Sequence, residues 1–251
     1  MRAVAVLLVL LLGRSAVAAQ TYVLQGSTTF THRIMDAHLA EIEMGSGHRL
    51  TVIPNKSSLG LLALFEKRAD FAMISGPLGT EIGSLKPNHP ALAYGRLRSF
   101  NVWNTPMAFA VNKGNPVRHL ADDQMRAILS GEITNWQSVG GPDLPIEIVH
   151  VRNGGGVQAS VEAALLGGKS IGAKNVILVQ ISSQVVKIVG QLPGALGLSQ
   201  LTIVQNSTAA ELKLDQAVEQ NLNLVTLGDP TPEMMKVVEV ARRLEKTATQ
   251  L

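Results

Sequence analysis

Apolar and polar positions alternate over residues 21–25, with Tyr22 and Leu24 set among polar neighbours. The period then changes, and Phe30, Ile34, Leu39 and Ile42 recur on one helical face. This predicts strand, turn and helix, with Gly26-Ser27-Thr28-Thr29-Phe30 at the turn. The order repeats. A strand over residues 49–54 runs into Asn55-Lys56-Ser57-Ser58 and a helix carrying Leu59, Leu62 and Phe65, and a third strand over residues 69–74 ends at Ser75-Gly76. Residues 79–97, with Pro87, His89 and Pro90, match neither period and receive no assignment.

The second half reads the same way. An apolar strand over residues 107–112 precedes the turn Lys113-Gly114-Asn115-Pro116, and residues 122–130 form a helix closed by Gly131. A strand over residues 146–151 enters Arg152-Asn153-Gly154-Gly155-Gly156 and a helix from about residue 157 to 166. Residues 176–179 predict a strand, and residues 182–192 a helix capped by Ser182 or Ser183 with Val185, Ile188 and Val189 inward. Pro193-Gly194-Ala195-Leu196-Gly197 turns into a short strand, and residues 222–227 form the last one. Thr231 caps a final helix with Pro232 in its first position and a basic end at Arg242, Arg243 and Lys246.

Alternating strands and helices predict an α/β fold with a parallel sheet, whose ligands sit beyond the carboxyl ends of the strands. Ser27, Thr28, Thr29, Ser57, Ser58 and Ser75 all fall at such ends, so three hydroxyl-bearing loops are expected to converge. A helix start offers unpaired N–H groups and a positive dipole end, which together hold anions. Taken alone, Ser27 or Thr28 reads first as an ordinary helix cap, and only the other loops like it turn the reading towards an anion site.

Composition narrows the picture. Arg2, the apolar run over residues 3–12 and the small residues Ala16-Val17-Ala18-Ala19 read as a signal peptide over residues 1–19, cut after Ala18 or Ala19, and predict an exported, periplasmic protein without membrane insertion. There is no cysteine, which excludes disulfides, thiolate catalysis and a lipid-modified cysteine. Without Arg2 and Arg14 the chain has 20 basic against 19 acidic residues, so its charge gives no reason to expect a nucleic-acid partner; the 4% aromatic content provides few stacking platforms. The six histidines have no metal-binding spacing, so neither metal nor cofactor is expected. Asp122-Asp123 compensates a helix dipole, no serine sits on a nucleophile elbow, and Trp103 and Trp136 read as packing residues. The chain is not expected to be an enzyme.

Residues 103–152 carry a more specific pattern. Met107 to Val117, then Leu120, Gln124, Ile128, Ser130-Gly131-Glu132-Ile133, Asn135-Trp136, Gly140-Gly141-Pro142, Ile146 and Arg152 resemble the second domain of the PstS-like phosphate-binding proteins of ABC transporters. Gly26 to Phe30, Ser57-Ser58, Asp70-Phe71, Pro77-Leu78, residues 193–197 and Gly228-Asp229-Pro230-Thr231-Pro232 follow in the family's order. The resemblance implies a type II periplasmic-binding-protein fold, two α/β lobes hinged over a ligand cleft, with lobe 1 over residues 20–100 plus 198–251 and lobe 2 over 101–197. It implies a monomer that holds phosphate or a related inorganic oxyanion, with an ABC permease as partner. By position Thr29 and Phe30 would serve as the first binding loop, Ser57 or Ser58 as the second, and Arg152 as the ion-pairing arginine, with Asn153, Gly154, Gly155 and Gly156 beside it. Arginine suits the role because its planar fork gives two parallel bonds to oxygens.

Two departures stand out. The family's aspartate before Ala-Pro-Leu is absent from Ile74-Ser75-Gly76-Pro77-Leu78, where Ser75 can donate to an oxyanion that carries no proton. Gly-Ser-Gly-Thr is replaced by Gly154-Gly155-Gly156-Val157, which removes two hydroxyls and leaves backbone N–H groups to compensate. These losses motivate a second reading, a non-transport scaffold with a degenerate pocket acting in signalling, adhesion or envelope assembly.

Overall fold

The structure, a computed structural model, describes residues 19–152 and 156–248, with side chains as far as 245. The expected signal peptide, apart from its last residue, the glycine-loop residues Asn153, Gly154 and Gly155, and the Lys246 side chain lie outside what is described.

The first strand, β1 (Thr21–Ser27), passes directly into a helical run made of α1 (Thr28–Phe30), a π-helical turn (Thr31–Met35) and α2 (Asp36–Ser46). Then come β2 (Arg49–Asn55), α3 (Ser57–Phe65), β3 (Phe71–Ile74) and α4 (Leu78–Leu85). The strand β4 (Leu97–Val111) is followed by β5 (His119–Leu120), α5 (Asp122–Ser130), β6 (Glu147–Val151), α6 (Gly156–Leu166), β7 (Val176–Val179) and α7 (Ser182–Gln191). The chain closes with β8 (Ala195–Gln200), α8 (Leu201–Gln205), β9 (Ala210–Leu214), β10 (Glu219–Leu227) and α9 (Pro232–Ala248). The strand order is β2-β1-β3-β10-β4-β8-β6-β7.

Pairing divides these strands into two sheets joined through β4. Residues Leu97 to Pro106 pair antiparallel with β10 beside the parallel trio β2, β1 and β3, while Met107 to Val111 pair antiparallel with β8, which continues parallel to β6 and β7. Period-2 alternation supplies a core on each face of each sheet. Tyr22, Leu24, Phe71, Met73, Leu222 and Leu224 pack under α2 and α9, whereas Ala72, Ile74 and Val225 on the opposite face pack against Leu61 and Leu64 of α3. In the second sheet Met107, Phe109 and Val111 meet Trp136, Met125 and Ile128, and Ala108 and Ala110 face Val185 and Val189 of α7. Each lobe is therefore a helix-sheet-helix sandwich, and the two lobes form the periplasmic-binding-protein architecture.

Several expectations change. The sheets are mixed rather than wholly parallel, since β10 runs against both β3 and β4. The unassigned stretch contains α4, and β4 is fifteen residues long, beginning well before residue 107. Residues 101–106 pair in the first sheet and residues 198–200 and 210–214 in the second, the reverse of the division made at 100/101 and 197/198. The cause is continuity: β4 runs through Asn104-Thr105-Pro106 as one strand, so the boundary between the sheets falls inside it, and β9 is only five residues long. At α7 neither serine caps; Gln184 Oε1 instead accepts from the N–H groups of Gln180 (2.9 Å) and Ile181 (3.3 Å). Thr231 does cap α9, accepting from Met234 N–H at 3.2 Å.

Candidate functional site

The carboxyl ends of β1, β2 and β3 bring their loops to one side of the first sheet, and α6 of the second lobe faces them. Between the lobes lies a cavity of about 570 Å³ lined by Ser27, Thr28, Thr29, Ser57, Ser58, Ser75, Arg152 and Gly156 among others. Eight of the twelve expected residues are thus brought together. A neighbouring cavity of about 400 Å³ shares Thr28, Thr29, Gly156 and Gln180 and continues past His32 towards Gln200 and Gln220.

Phe30 is different. Its ring is fully buried in the first core, and its N–H donates to Ser27 Oγ at 3.2 Å, so this group is engaged in capping. Ser27 caps the helix and also lines the cavity. The turn needs Gly26: its φ is +140°, and a Cβ there would lie 2.2 Å from Met73 O. His32 lies on a solvated face and pairs with Asp36 Oδ2 at 2.7 Å.

Ser57 and Ser58 open α3, whose preceding residue, Lys56, makes no side-chain cap. Ser57 is buried and accepts from Ser75 N–H at 3.3 Å, which ties the second loop to the third; Ser58 is more open to the cavity. Arg152 lies exposed at the end of β6, anchored by its N–H donating to Val179 O at 2.7 Å. Its guanidinium forms no ion pair among the described residues.

The two lobes approach tightly at Gly156. A Cβ on Gly156 would lie 2.0 Å from Ser75 O, 2.7 Å from Ser75 Oγ and 2.2 Å from Gln220 Nε2. Gln220, fully buried at the base of the cleft, donates to Ser75 O at 2.8 Å and accepts from Gln200 Nε2 at 3.4 Å, so one amide links β3, β10 and β8.

Sequence reasoning missed two carboxyl groups in the same cavity. Glu81, in the first half of α4, lies over Gly76, with its Oε1 3.3 Å from where a Cβ on that glycine would be. Burial raises its pKa above the usual carboxylate range, and the nearby Ser57 hydroxyl offsets only part of that. Glu162 is buried on α6, where its Oε1 accepts from Gln158 Nε2 (2.8 Å) and Ile171 N–H (3.1 Å). Asn55 joins the lining, and its Oδ1 is buried without a hydrogen-bond partner among the described residues. With no element assigned to residues 79–97, no periodicity aims Glu81. Glu162 does fall within the predicted α6 helix, but its position gives no reason to separate it from a solvated face.

No group of three or more histidine, cysteine, aspartate or glutamate side chains suited to a metal occurs among the described residues. No helix among them is long and apolar enough to cross a membrane.

A family model described as the PBP superfamily domain matches residues 14–245. The chain belongs to this family. Within the superfamily it is PstS-like, as the pattern at residues 103–152 implies. It is 30% identical to the phosphate-binding protein PstS of Bacillus subtilis over 121 residues, a match that spans 48% of this chain and 39% of that protein. It is 23% identical to the protein of the same name from Borreliella burgdorferi over 213 residues, 82% of this chain and 69% of that one. An ABC-type phosphate transport receptor from Vibrio cholerae superposes with a TM-score of 0.72 at 21% identity, covering 92% of this chain and 97% of that chain, which shows the shared fold. Proteins of this family are substrate-binding receptors rather than enzymes.

Proposed function

We propose that the chain is an exported solute-binding protein that captures phosphate or a related inorganic oxyanion between its lobes and delivers it to an ABC transporter. One observation carries this reading: the hydroxyl-bearing helix starts at Thr28 and Ser57 face the exposed Arg152 and the start of α6 across a single cavity. Such a cavity combines hydroxyl and N–H donors, helix dipoles and a planar cation, which together suit a tetrahedral anion. The second lobe needs no long side chain at the start of α6, because Gly156 lets its backbone approach the first lobe directly. The phosphate-binding names of the relatives favour phosphate among the oxyanions.

The test is calorimetric titration of dialysed protein with phosphate and, separately, sulfate. Saturable one-site binding accompanied by lobe closure in solution scattering supports the reading. Absence of heat with both anions removes it and leaves the non-transport scaffold.

A further inference from the structure

Glu81 has no part in holding a bare oxyanion, yet it places a carboxyl group in the wall that also contains Thr28, Thr29, Ser58 and Arg152, at the spot left open by Gly76. An ionised carboxylate can only accept hydrogen bonds, so it repels such an anion, whereas one proton placed between the two turns repulsion into a short charge-assisted bond.

We propose that Glu81 makes anion capture in this cleft proton-linked: each oxyanion enters together with one proton, held between a ligand oxygen and the Glu81 carboxyl. The proposal rests on the oxyanion-binding reading above. It shifts the selectivity expected from Ser75, because the acceptor absent from position 75 is supplied from α4. An anion that carries its own proton meets the requirement itself, and one that does not must draw a proton from solvent.

The other charged groups around the cavity do not replace Glu81. Lys56 and Arg152 are basic and can only donate, and Glu162 already accepts from Gln158 and the Ile171 N–H within its own lobe. His32, in the adjoining cavity, is paired with Asp36. Burial raises the Glu81 pKa, which brings its proton closer to the working pH than that of a solvated carboxyl.

Sulfate is the informative probe because it has no titration of its own between about pH 5 and pH 8, so a slope in its affinity reports the protein. The wild-type affinity for sulfate is expected to fall by up to about tenfold per pH unit, with uptake of about one proton per anion in buffers of different ionisation enthalpy. At the alkaline end phosphate should take up fewer protons than sulfate. In Glu81→Gln the sulfate slope should flatten and proton uptake vanish, and Glu81→Asp should restore both in part. An unchanged slope in Glu81→Gln, or loss of the slope in Glu162→Gln instead, overturns the proposal while oxyanion binding stands. If wild-type protein binds neither anion at any pH, the oxyanion reading fails and the proposal falls with it.

Discussion

The two walls of the cleft are built on different principles. The wall from the first lobe is made largely of side-chain hydroxyls, two of which are held by backbone N–H groups: Ser27 accepts from Phe30 N–H in its own loop, and Ser57 accepts from Ser75 N–H of the next loop. The second wall offers an exposed guanidinium at Arg152 and bare backbone at Gly156. One wall is preorganised and nearly neutral, apart from Glu81 and Lys56. The other carries charge but little side-chain shape. Shape and charge are thus assigned to opposite lobes, so substitutions in the two walls should fail in different ways.

Arg152→Ala should show the largest difference. Losing a charged, bidentate donor costs about 3 kcal/mol or more, which is a hundredfold or greater loss of anion affinity. Because the side chain is exposed, the melting temperature should stay within about 1 °C, the small shift expected of a surface substitution. Titration and a thermal melt of the same sample check both halves, and undiminished affinity would remove Arg152 from the site.

Gly156→Ala should be next. The added methyl would have to occupy space 2.0 Å from Ser75 O, which the lobes as they are placed cannot provide. An affinity loss of about tenfold or more is expected, on the scale of an overpacking cost of about 1–3 kcal/mol, with weaker ligand-induced compaction in scattering.

A pair of serine variants sharpens the contrast within the preorganised wall. Ser57→Ala should destabilise the fold by about 1 kcal/mol, since it leaves the buried Ser75 N–H without its acceptor. Ser58→Ala should leave the melt unchanged and lower affinity instead. Equal behaviour of the two in denaturation and titration would contradict the division of labour between them.

The smallest effect concerns Glu81 without ligand. Its folded pKa is raised by burial, so the folded state binds the proton more tightly and stability falls as pH rises from the unfolded pKa through the folded one. Glu81→Gln should therefore raise the melting temperature by about 1–3 °C at neutral pH, with the gain disappearing below about pH 4. A gain that grows on acidification would reverse the assigned sign.

Much of this is legible in the chain because local chemistry determines it. Gly26 before three hydroxyls, the Thr231-Pro232 helix start and the Asp122 to Gly131 helix each follow from rules that act within a few residues. Convergence of the β1, β2 and β3 loops also follows from the repeated strand-loop-helix order. What escapes depends on distant partners. β4 crosses from one sheet to the other inside a single strand, where its alternating half gives way to the wholly apolar Met107 to Val111, and the β9 strand is fixed by pairing with Phe109, Ala110 and Val111. Glu81 acquires its environment from Gly76 and from the facing lobe, so no spacing within α4 could reveal it.

The passage of β4 between sheets also sets the mechanics of the molecule. At the crossing, Pro106 pairs with Glu219 while the N–H of Met107 donates to Val218 O at 2.9 Å, so the two connecting strands form a laced ribbon instead of two loose tethers. A ribbon of this kind bends and twists readily but resists sliding along its length. Such lacing predicts that the halves move relative to each other by rotation about the ribbon, and a pair of dyes, one on each half, should then report opening and shutting as a single angular coordinate.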